Sequence, residues 1–191
     1  MKYSGFFACL AIGWLAGFSP ALAQESVPAG TEAQRAALQQ LSWMDGEWVG
    51  EATIRTPSGE MVREVHTERI GPMLGGSIKI IEGRTPGHDT GSAAFNAFAV
   101  ISWDETNQRY VMRSYANGQV GDFPLVADAS GFSWVIPAGP GEMRFQTTYS
   151  NGVWVETGDF VMPNRPSMRT IELRLTRRGD TTWPAGNPVE P

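Results

Sequence analysis

Glu64, His66, Arg113 and Tyr115 are the side chains of this sequence whose types and spacing suit chemistry. Glu64 and His66 stand two residues apart, so on an extended strand they project from one face, where a carboxylate and an imidazole make an acid/base pair. Arg113 and Tyr115 stand in the same relation, and a guanidinium fork beside a phenol hydroxyl suits a carboxylate ligand. Without a nucleophile or an oxyanion donor these four make a thin active site, and they read first as a polar cluster for binding. Trp134 and Trp154 join them as candidate ligand-binding residues, because large rings with no facing neighbour line pockets.

Other chemistries find no motif. Zinc requires three or four converging His, Cys or carboxylate ligands, whereas His66 and His88 are the only histidines and Cys9 the only cysteine. His88-Asp89 reads as a solvated loop pair, so neither a metal nor a cofactor is expected. Asp104-Glu105-Thr106-Asn107 is too short for a calcium loop and fits a hairpin turn. A Gly-x-Ser-x-Gly elbow is absent, and Gly139-x-Gly141 lacks the third glycine and the helix of a dinucleotide loop.

Residues 1–23 combine Lys2, an apolar run from Gly5 to Phe18, Pro20 and Ala21-Leu22-Ala23, the composition of a secretory signal peptide cleaved near Ala23. A periplasmic or extracellular location is therefore expected. The run is too short for a membrane span, and no later segment has the roughly 20 apolar residues a spanning helix needs. Cleavage removes Cys9, so neither disulfides nor a thiol nucleophile is expected in the mature chain. It also removes one lysine and no acid, taking the net charge from -5 to -6. Nucleic acid is not an expected partner, because polyanion binding needs a basic stripe and these arginines are spread among carboxylates. A small molecule is the expected partner, and the oligomeric state is left open.

Residues 24–30 read as a flexible leader. Thr31 to Leu41 has good helix formers, a Thr31 to Gln34 capping-box spacing and an apolar stripe of Ala33, Ala37, Leu38 and Leu41. From Glu47 the period becomes two, in about ten runs separated by turn signals such as Pro57-Ser58-Gly59, Asn117-Gly118 and Ser150-Asn151-Gly152. The short spacing excludes crossover helices, so the strands form an antiparallel meander. Curling it into an up-and-down barrel removes both open edges, and a two-sheet sandwich is the alternative. The reading is thus an all-β, lipocalin-like barrel of about ten strands over residues 31–178, with a short N-terminal helix and a flexible tail from 179 to 191.

In the first strand Trp48, Gly50, Ala52 and Ile54 face inward, and the two small residues predict room opposite them. Proline and glycine in Pro57-Ser58-Gly59 predict a type I turn with a bulge, pairing Thr56 with Glu60. That register places His66 opposite Gly50 and Glu64 opposite Ala52, both inside, whereas a two-residue loop would turn them out. On the last strand Ile171, Leu173, Leu175 and Arg177 share a face. Closure would bring Arg177 over the Trp48 ring in a structural cation-π contact worth roughly 0.5–2 kcal/mol.

Gly46-x-Trp48 at the first strand, with an arginine late in the last, resembles the calycin signature of lipocalins and fatty-acid-binding barrels. Gly46-Glu47-Trp48-Val49-Gly50 is also similar to the opening of nitrobindin-like barrels. The phrases Phe95 to Asp104, Gly121 to Leu125 and Ile136 to Gly141 resemble a family of small secreted bacterial barrels of unknown function, a likeness covering most of residues 40–178. The nitrobindin resemblance implies haem held by a histidine late in the barrel, and no histidine follows His88, so haem loses its ligand here. Fatty-acid-binding barrels use an Arg-x-Tyr pair on a late strand, whereas Arg113 and Tyr115 are central. Three functions follow as expectations: a non-catalytic barrel binding a partly apolar small molecule, a small enzyme using Glu64, His66 and Arg113, or a barrel filled by its own side chains that acts through its surface.

Overall fold

The computed structural model describes residues 29–86 and 93–184. The expected signal peptide, all but the end of the leader, His88-Asp89 and the last part of the tail lie outside them. A helix, α1 (Ala29–Gln39), and a 3-10 turn (Ser42–Met44) precede ten strands. These are β1 (Gly46–Arg55), β2 (Met61–Met73), β3 (Ile78–Pro86), β4 (Ala93–Asp104), β5 (Arg109–Ala116), β6 (Gln119–Asp128), β7 (Gly131–Ala138), β8 (Gly141–Ser150), β9 (Val153–Val161) and β10 (Met168–Gly179). Each pairs antiparallel with its neighbour in sequence, and β1 pairs with β10 to close the barrel. No helix of the described residues is long and apolar enough to cross a membrane.

The first hairpin forms as its turn residues require. Thr56 N–H donates to Glu60 O at 2.8 Å, Gly59 N–H to Thr56 O at 2.9 Å, and Gly59 adopts a φ of +90° that suits glycine. The resulting register sets Gly50 opposite His66 and Ala52 opposite Glu64. One turn therefore decides which face of β2 the interior receives.

One end of the barrel is plugged by the helical segment. Ala37, Leu38 and Leu41 are buried from the predicted stripe, and the Tyr110 hydroxyl donates to Ala37 O at 2.7 Å. The Trp48 indole N–H donates to Met44 O at 2.8 Å, and its fully buried ring packs edge-on against Tyr149 and Trp154. Lys79 enters this plug from β3 and pairs with Asp45, its side chain only 3% exposed. Burial pushes the Lys79 ammonium below its ordinary pKa, and the Asp45 carboxylate opposes that shift.

Arg177 pairs with Trp48 across the closing strands, but its guanidinium is directed at the backbone leading into that strand. Its Nε donates to Asp45 O at 3.0 Å, and it also pairs with Asp180. Among the described residues no cation-π contact joins it to Trp48. The contact of that kind at this end is Arg69 over Trp183 at 5.9 Å, made by the start of the tail where it lies against β2.

Gly50 corrects a second expectation. A Cβ there would lie 1.9 Å from the Arg174 carbonyl oxygen, so the missing side chain serves the approach of β10 and leaves no room inside. Gly50→Ala is accordingly expected to destabilise the protein by about 2 kcal/mol, as overpacking does. Equilibrium urea unfolding measures this, and a neutral result would remove the close approach from the account.

Candidate functional site

The half of the barrel away from the plug holds a cavity of about 240 Å³. Its volume arises where β4 and β5 present small inward residues, Ala97, Ala99, Ser114 and Ala116. Opposite them β7, β8 and β9 present Phe132, Trp134, Phe145 and Trp154, with Trp134 stacked on Phe145 at 4.3 Å between ring centres. The empty interior thus lies between small residues on one wall and rings on the other. An apolar cavity of about 150 Å³ accepts a benzene ring, so this one has room for a ring and a short arm.

One side of the cavity is polar. His66 Nδ1 is 2.8 Å from Thr85 Oγ1, and its Nε2 is 2.9 Å from Glu68 Oε1. The hydroxyl on one side and the carboxylate on the other hold the ring in place. Further round the wall the Thr147 hydroxyl donates to Glu156 Oε2 at 2.7 Å. Across β10 and β1 the register runs from Glu156 through Leu173 and Ala52 to Glu64 on β2. Glu68, two inward positions along β2 from Glu64, is still near enough for its charge to act on Glu156.

Glu156 has its carboxyl pushed from an ordinary 4.5 up to about 7. Burial is the main cause, and the charge of Glu68 acts in the same direction. The Thr147 hydroxyl, the nearby Trp154 N–H and His66 oppose it. Two polar atoms of this cluster are buried without meeting a partner in hydrogen-bond geometry, Glu68 Oε2 and Trp154 Nε1. Such atoms are costly unless something in the cavity meets them.

The residues singled out from sequence divide clearly. His66, Trp134 and Trp154 line the cavity. Glu64 holds the inward register opposite Ala52, is partly buried, and sits one inward position from His66 toward the open end. Arg113 and Tyr115, expected among the ligand-binding residues, stand instead on the outer face, away from the cavity. Arg113 is 50% exposed and bonds Asp122 on β6, while its Nε donates to the Tyr115 hydroxyl at 2.9 Å. The inward face of β5 belongs instead to Tyr110, Met112, Ser114 and Ala116. The Glu64, His66 and Arg113 cluster is therefore not assembled.

Glu68 and Glu156 are the residues that sequence reasoning missed. Each lies two positions beyond an inward residue that was identified, His66 and Trp154, so strand alternation alone points to them.

A closed antiparallel barrel with a helical plug at one end and an internal cavity toward the other has the lipocalin-like, or calycin, architecture. Among solved structures the chain is similar to the crystal structure of Rv2717c from M. tuberculosis, with a TM-score of 0.55 and 10% identity, over 74% of this chain and 97% of that one. It is also similar to the S-type phycobiliprotein lyase CPES from Guillardia theta, with a TM-score of 0.51 and 8% identity, over 79% and 98% of the two chains. At these identities the likeness is one of fold. No protein-family model and no curated protein matches the chain.

Proposed function

We propose that this protein is a non-catalytic binding barrel that holds a compact, largely apolar small molecule in its interior. The observation carrying this reading is the 240 Å³ cavity, whose apolar walls bear one localised polar cluster. Binding sites have this composition, with apolar contact supplying affinity and a few polar groups fixing orientation. The composition of residues 1–23 supports export to the periplasm or beyond the cell, with cleavage near Ala23.

Toluene is a suitable first probe, followed by NMR through the indole N–H signals of Trp134 and Trp154. In the wild-type protein it should shift both signals saturably. Ala97→Phe should abolish the shifts, because Ala97 faces the cavity between Gly83 and Ala116 and a ring there occupies the ligand volume. Thermal unfolding should show that this variant remains folded. If toluene leaves the indoles unmoved, or moves them equally in the variant, the cavity is not the binding site.

A further inference from the structure

Resting on that reading, we propose that the ligand is an organic cation, a small ring-bearing molecule whose ammonium nitrogen sits between Glu68 and Glu156. The cavity wall carries two carboxyls and one imidazole, and neither a lysine nor an arginine lines it. An anionic guest would meet no lysine or arginine there, since Arg113 is outside and Lys79 is committed to Asp45 in the plug, and the His66 imidazole is already bonded to Glu68 and Thr85. Glu68 Oε2 is a buried acceptor without a donor, and a carboxylate oxygen in that state is satisfied best by a charged N–H. The rings of Trp134, Phe145 and Trp154 supply faces that attract a cation further.

The groups around Glu156 agree with this assignment. Thr147 faces it from β8 and Leu173 from β10, neither of which titrates, while β2 contributes Glu68 and His66, with Glu64 one inward position beyond. Burial and Glu68 hold Glu156 near neutrality as a proton acceptor, so a bound ammonium would take over the role of that proton. Binding should then release a proton from Glu156, and affinity should fall as pH drops below about 7.

The test compares three probes of matched shape, 2-phenylethylamine, 2-phenylethanol and 3-phenylpropanoate, by calorimetry at pH 8 and pH 6. At pH 8 the amine should bind about tenfold or more tightly than the alcohol, with the acid weakest. Its advantage over the alcohol should shrink at pH 6, and in Glu68→Gln it should shrink at pH 8 as well. Equal or tighter binding of the alcohol or the acid overturns the cation assignment and leaves the cavity as a binding site. Failure of all three to bind in a manner sensitive to Ala97→Phe overturns the binding reading, and the cation assignment with it.

Discussion

Glu156→Gln is expected to stabilise the barrel at pH 8 and to do so much less at pH 5. The carboxyl has an ordinary value of 4.5 when unfolded and about 7 when folded. Between those values the folded protein holds a proton that the unfolded chain does not, so this group's contribution falls as pH rises through the interval and is lowest above it. The interval corresponds to about 3 kcal/mol at full weight. Glutamine keeps the shape, accepts from the Thr147 hydroxyl and carries no charge to bury. A gain of about 1–3 kcal/mol at pH 8 follows, against less than about 1 kcal/mol at pH 5. Urea unfolding of both proteins at the two pH values measures the difference, and a gain independent of pH would contradict the assignment.

Trp48→Ala should have the opposite and larger effect. The ring is fully buried between the helical plug and the barrel wall, against Tyr149 and Trp154, and its N–H satisfies Met44 O. Truncation removes the packing, opens a cavity and orphans a buried carbonyl, a loss of about 4 kcal/mol. Trp48→Phe retains a ring but loses the hydrogen bond and should cost about half as much. A loss below about 1 kcal/mol for Trp48→Ala would show that the plug is held by other contacts.

Much of the barrel was readable because its information is local. The Pro57-Ser58-Gly59 turn dictates the β1–β2 register, and with it the inward placement of His66. Asn117-Gly118 and Asn151-Gly152 adopt the positive φ values that two-residue hairpins need. The site was less legible because it depends on which strands approach which. Gly50 looked like a source of space, yet its missing Cβ admits the β10 backbone, and the true space lies beside the alanines of β4 and β5. Arg113 and Tyr115 do share a face, but β5 alternates with weak contrast, since Val111 sits among the outward residues and Ser114 among the inward ones. Glu156 drew no attention because a glutamate in a strand usually faces water, and only closure of the barrel brings it near Glu68.

The interior cavity is the centre of this account, and native mass spectrometry of protein purified from its own source organism tests it most directly. The folded wild-type protein should carry an additional mass of a few hundred daltons or less, lost on denaturation and missing from Ala97→Phe prepared in the same way. A wild-type protein of bare polypeptide mass, together with a crystal structure whose barrel interior is filled by its own side chains, would contradict it.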